Sequence, residues 1–260
     1  MELRGIDVSK WNGNIDWAKV RASGIDFAMI KAANGSNKGT YSMDPKFEFN
    51  IREAYDVGLH CGVYLYSYAK TPSGAADEAK FLISKLEPYK KLITFPVAYD
   101  LEDISQQSLP KSVLTSMCRS FCDAVRAAGY KPMLYSNTSW LTTKIDSTQV
   151  NADIWLAHWA TKPTWNGKYT MWQYSSKGAV AGISGSVDMD IGYVNYTEED
   201  NMSASNNGTS SDKNIGTPSS WAASSWAKAV SLGVVDGTNP QGNVTREQLT
   251  VIMDRLGWLK

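Results

Sequence analysis

Over residues 3–196 the chain repeats one alternation, a short apolar run of strand type followed by an amphipathic stretch of helical period. Runs rich in β-branched and aromatic residues predict strands over 3–8, 26–32, 61–66, 93–98 and 131–135. Helices fill the gaps. One covers 15–22 and closes at Gly24; a second takes Asp44 as N-cap, with Pro45 at its first position, and runs to Gly58. A third covers 73–86. The fourth opens at Leu109-Pro110 and carries Val113, Met117, Phe121 and Val125 on one face before Gly129. Strands alternating with helices imply right-handed crossovers and a parallel sheet. After Tyr135 the helices shorten or vanish, and strands over 153–157, 170–174 and 187–191 are separated by loops. The sum is an α/β chain with eight strands and about five helices, an incomplete (β/α)8 barrel over 1–196. An open doubly wound sheet is the alternative, but its Gly-x-Gly-x-x-Gly turn is absent after the first strand.

The pattern breaks over 197–216, which is polar, small and without period, and reads as a flexible linker. Order returns over 217–260. Thr217-Pro218 starts a helix with Ala222, Trp226 and Val230, and Thr245-Arg246-Glu247-Gln248 is a capping box before Leu249, Ile252, Met253 and Leu256. This is a small all-α helix-loop-helix unit. With no Cys in so short a unit, self-association is the remaining way to build a core, through Trp226, Val230, Leu249, Ile252 and Met253. Met202 stands just after Glu198-Glu199-Asp200, whose codons form a purine-rich run before an AUG, so an internal start there would release this unit as a free fragment.

Composition narrows the function. A formal net charge of zero over 260 residues argues against nucleic acid and anionic membranes as partners. No run spans a bilayer, and the N-terminus enters a strand at once without a signal peptide. The protein is therefore expected to be made in a cytoplasm and to act outside only after release. Cys61, Cys118 and Cys122 suit neither a disulfide framework nor a zinc site, and they read as small buried apolar residues. His60 and His158 stand apart from each other and from any ligand cluster. No metal and no cofactor is expected. Ten Trp and thirteen Tyr supply flat apolar faces that suit sugar rings as well as cores.

In parallel barrels the active site is built at the C-terminal ends of the strands. Here those positions hold Asp7, Tyr64 or Tyr66, Asp100 with Glu102, Tyr135, Trp155 with Trp159, Gln173 and Asp188. Asp100 and Glu102 are two apart, so on a strand they share a face. Burial and mutual repulsion would then raise one pKa and leave the other group ionised, an acid beside a base. The aromatic residues fit equally as bulky barrel core.

Gly5-Ile6-Asp7-Val8-Ser9, Tyr99-Asp100-Leu101-Glu102, Trp155-Leu156-Ala157, Trp172-Gln173-Tyr174 and Val187-Asp188 resemble the glycoside hydrolase family 25 lysozymes. The resemblance implies hydrolysis of the β-1,4 bond between N-acetylmuramic acid and N-acetylglucosamine of peptidoglycan. It also implies a carboxylate group matching Asp7, Asp100, Glu102 and Asp188, with Asp190 on the same strand face as the second choice for the fourth acid. Glu102 is expected to be the general acid and Asp100 to stay ionised. Trp226-Ala227, Gly233-Val234-Val235-Asp236-Gly237 and Thr245-Arg246-Glu247 resemble a single S-layer-homology motif, which implies binding to secondary cell-wall polymer. Together these features are similar to a phage endolysin acting on a Gram-positive wall. A chitinase-like barrel would place acids where Pro96 and Ala98 stand, and a non-catalytic wall binder would not need the acids.

Overall fold

The computed structural model describes residues 2–37, 39–197, 223–232 and 234, in two compact units, Met1–Glu199 and Asp200–Lys260. In the first unit nine strands follow in chain order: β1 (Leu3–Val8), β2 (Phe27–Asn37), β3 (Thr40–Met43), β4 (His60–Tyr66), β5 (Val97–Asp100), β6 (Pro132–Asn137), β7 (Asp153–Ala157), β8 (Met171–Gly178) and β9 (Val187–Gly192). Eight of them close a ring, because β1 pairs with both β2 and β9, while β3 hairpins back onto β2 outside it. Between the strands lie α1 (Trp17–Ala22), α2 (Phe47–Asp56), α3 (Pro72–Leu86), α4 (Lys111–Ala127) and α5 (Thr138–Thr143).

The ring is not wholly parallel. β9 runs antiparallel to both β8 and β1. Residues 179–186 alone join β8 to β9, fewer than the dozen or so a parallel crossover needs, so the chain must turn straight back. β3 and the long reach of β2 to Asn37 also differ from the sequence pattern, since 33–43 is mostly polar and, beyond Asn34, pairs only with itself. Asp44 does not cap α2. Its carboxylate accepts instead from the backbone N–H of Lys10 and of Lys46, which ties the β1 loop to the start of α2.

Two cores result from the strict alternation of strand side chains. Tyr99 of β5 points outward and stacks on Phe121 of α4 with ring centroids 4.3 Å apart. On α4 the buried stripe is Leu114, Met117, Cys118, Phe121, Cys122 and Val125, with Val113 at its margin. All three cysteines are buried and free. The inner core fills the barrel with Phe27, Met29, Ala98, Met133, Trp155 and Met171, and the Phe27–Phe95 and Phe95–Tyr196 ring pairs pack beneath it, both at 5.2 Å.

In the second unit the described helix is α6 (Ala223–Ser231), with Val230 and Leu232 exposed. The expected linker beyond Thr197, Met202, and the second helix with Leu249, Ile252 and Met253 lie outside the described residues.

Gly5 faces the barrel interior, where a methyl group would overlap the Phe27 ring. We expect Gly5→Ala to destabilise the barrel by about 1–3 kcal/mol through overpacking. At roughly 2–4 °C per kcal/mol for a domain of this size, thermal unfolding followed by near-UV circular dichroism should show a lower midpoint. An unchanged midpoint would refute the close approach.

Candidate active site

Each strand of the ring contributes to one cavity of about 510 Å³ at the end where the parallel strands finish. Its lining includes Asp7 from β1, Lys31 from β2, Tyr64 and Tyr66 from β4, Asp100 from β5, Tyr135 from β6, Trp155 from β7, Gln173 from β8 and Asp188 from β9. Glu102 and Trp159 reach it from the loops after β5 and β7. All ten side chains expected from the sequence thus meet in one place. They do so by different means. β5 ends at Asp100, and Glu102 keeps the alternation in the loop beyond it. Asp188 lies near the start of its strand rather than the end. Because β9 is reversed, that start is level with the finish of β1, and Asp188 pairs directly with Asp7.

One amide organises the floor. Gln173 Nε2 donates to Asp7 Oδ2 at 2.7 Å, and this sets its Oε1 to accept from Tyr135 Oη at 3.1 Å and from Trp159 Nε1 at 3.0 Å. Trp155 is core, fully buried, with its Nε1 donating to Asp190 Oδ1 at 2.7 Å. Trp159 is 63 % exposed at the rim. Tyr66 donates to Asp103 at 3.1 Å, and Tyr64 packs edge-on against Trp155. The aromatic residues therefore divide into core and rim, a division invisible in their spacing.

The carboxylates fall into two groups. Burial raises the Asp100 pKa well above the usual carboxylate range, Glu102 adds to this, and the Lys31 ammonium opposes it. Glu102 is raised more modestly, again by burial first, with Lys31 pulling down and Asp188 pushing up. Burial thus acts on both carboxyls of the pair, and the Lys31 ammonium opposes it at both. Asp100 is the deeper of the two, and its Oδ1 has no hydrogen-bond donor. The second group is Asp7, Asp188 and Asp190. Burial raises all three, Asp190 to about 8, and for Asp7 the charges of Asp190 and Asp188 add to it. Asp188 lines the cavity while Asp190 sits buried below, which separates the two choices for the fourth acid. Among the described residues no three His, Cys, Asp or Glu are placed to hold a metal ion.

Six lining residues were not expected from the sequence, Ser9, Trp11, Asn12, Lys31, Ser176 and Ser186, and two of them bear most on the site. Lys31 breaks an otherwise apolar strand, Phe27-Ala28-Met29-Ile30-Lys31-Ala32-Ala33, and a lone charge in such a run is the signal that could have found it. Trp11 stands 82 % exposed at the rim and offers a flat apolar face there, with the Lys10 ammonium against its ring.

The model for "Glycosyl hydrolases family 25" matches residues 6–183, ending just before β9. Lysozyme M1 of Streptomyces globisporus is 31 % identical over 199 residues, covering 72 % of this chain and 66 % of that protein. The chain thus spans just under two thirds of that relative's length, and the autolytic lysozyme of Clostridium acetobutylicum, also 31 % identical, is matched over 55 % of its own. Among solved structures, the catalytic domain of endolysin ply40 from Listeria monocytogenes bacteriophage P40 superposes with a TM-score of 0.65 at 26 % identity, covering 76 % of this chain and 97 % of that one. The modular autolysin LytC of Streptococcus pneumoniae, solved in complex with a synthetic peptidoglycan ligand, gives 0.64 at 27 %, covering 73 % and 46 %. With eight strands closed around four lining acids and a family match across more than half its length, this chain belongs to glycosyl hydrolase family 25.

Proposed function

We propose that the chain is a lysozyme of endolysin type. It hydrolyses the β-1,4 bond between N-acetylmuramic acid and N-acetylglucosamine in Gram-positive peptidoglycan, with net retention. The observation that carries this reading is the Asp100–Glu102 pair, one buried and one half-buried in a cavity edged by Trp159 and Trp11 and faced by Lys31.

Two neighbouring, largely desolvated carboxyl groups that repel each other hold one proton between them. In the free site the deeper Asp100 competes well for it. A bound 2-acetamido sugar brings its amide N–H to Asp100, which favours the carboxylate there and leaves the proton on Glu102. Glu102 then protonates the glycosidic oxygen as the acetamido oxygen attacks the anomeric carbon from the opposite face. Asp100 holds the acetamido N–H and balances the charge of the cyclic intermediate. Water opens that intermediate while the Glu102 carboxylate takes its proton, restoring the starting acid. Asp7 and Asp188 orient the sugar, and Tyr64, Tyr66, Tyr135 and Trp159 supply its apolar contacts.

Glu102→Gln should lose on the order of 10²–10⁴-fold in dye release from purified walls with the fold intact. Near wild-type lysis would remove Glu102 as the acid, and recovery of the α-anomer as first product would exclude retention. The pH profile of kcat/KM should be bell-shaped. Activity falls below the pKa at which Asp100 gains its proton, and above the pKa at which Glu102 loses its own. Lys31 pulls both downward, so Lys31→Met should move both limbs to higher pH on soluble wall fragments. Unmoved limbs would take Lys31 out of the charge balance.

Residues 217–260 bind the wall and self-associate, and internal initiation at Met202 adds free copies of this unit, raising avidity. Exposed Val230 on α6 and Leu232 just after it support the association. Sedimentation of the full chain should show an oligomer, and Met202→Leu should abolish a small co-purifying fragment. A strict monomer, or a fragment that persists, would refute the respective part.

A further inference from the structure

Below the cavity floor two carboxyl groups meet in a pocket of acids. Asp190 is 1 % exposed; its Oδ1 is held by Trp155, and no N–H or O–H of the described residues reaches its Oδ2. Its neighbour on the same inward face is Asp7, because the β1–β9 register sets Asp7 opposite Asp188 and sets Gly5, which has no side chain, opposite Asp190. A carboxylate only accepts, so two of them bond to each other only through a proton. The titratable groups turned toward the pair are Asp188 on β9, Asp100 on β5, Tyr64 on β4 and Tyr135 on β6. None of these can be a cation. Among the charged groups that act on Lys31, the Asp100 carboxylate acts most strongly.

The occupancy follows from the partners. Without a proton, two charges would be buried side by side with no countercharge, which is strongly unfavourable. With two protons, Gln173 would lose the ionised acceptor that its 2.7 Å bond to Asp7 calls for.

We propose that Asp7 and Asp190 hold one proton between them and act as a single monoanion that positions Gln173, and through it Tyr135 and Trp159, in the substrate cavity. Asp190 is thus a positioning residue. It touches no substrate, and it acts by keeping Asp7 a fixed, singly charged acceptor. Asparagine imitates the protonated form: its Oδ1 still accepts from Trp155, and its N–H still donates to Asp7. Alanine does neither.

The test compares Asp190→Asn and Asp190→Ala with wild type in the full chain. Misplacing the floor of the cavity should cost the alanine variant on the order of 10²-fold in kcat/KM for wall hydrolysis. Asparagine should recover most of that loss. This arm rests on the wall-hydrolysing reading above; the second does not. A carboxyl whose pKa is raised on folding contributes stability that is fully present below the unfolded value and is lost as pH rises through the folded one. Wild type should therefore lose stability relative to Asp190→Asn between about pH 4 and about pH 8, so the asparagine variant's advantage in thermal midpoint should grow across that window and then level off. An asparagine variant as impaired as alanine, or a midpoint difference that stays flat over this range, would overturn the proposal. If the alanine variant does not fold, the asparagine melting series still decides.

Discussion

The reversal of β9 is the constraint on which the rest of the barrel depends. A sheet of seven parallel strands would leave two open edges, each a row of unpaired N–H and C=O groups. β9 satisfies both at once by pairing with β8 on one side and β1 on the other. Its direction is forced by the short link from β8, and that direction carries chemistry. A parallel eighth strand would have placed Asp188 at the far end of the barrel, a full strand length from Asp7. Reversed, it sets Asp188 opposite Asp7 and Asp190 one inward-facing position deeper.

Carboxyl groups packed this closely destabilise the fold unless each finds a partner or a proton. The barrel meets the demand differently on its two sides. Near β5 the half-buried Lys31 offsets Asp100 and Glu102. Near β1 the chain supplies donors, Gln173 to Asp7 and Trp155 to Asp190, and burial favours protonation.

A second polar network braces the loops from outside the cavity. Ser67, just after β4, bonds Glu78 of α3 at 2.7 Å and Tyr99 of β5 at 2.8 Å, and Gln106 after β5 donates to Ser67 and to the Ala69 carbonyl. Gly35 leaves room for the Glu78 carboxyl, where any side chain would collide. The loops that follow Tyr66 and Asp100 are thereby tied to one another, and the lining residues they carry keep their separation.

By itself the sequence determined most of the barrel. Period-2 apolar runs and period-3.6 stripes arise from local geometry, so the eight ring strands and the long helix before Gly129 are legible without coordinates. Asp7 and Asp100, at the ends of parallel strands, are legible for the same reason, since strand polarity aims both at one rim. What it left undecided needed partners distant in the chain. The direction of β9 depends on which edges remain to be closed. The split between Trp155 as core and Trp159 as rim depends on depth along the barrel axis, which residue type does not encode. Lys31 belongs to the site only because β2 stands beside β4 with Asp100 one strand further on, and Asp190 meets Asp7 only through the cross-strand register. Proton affinities came last of all, because burial and the charges of neighbours brought together by the closed sheet set them, and neither exists until the ring has formed.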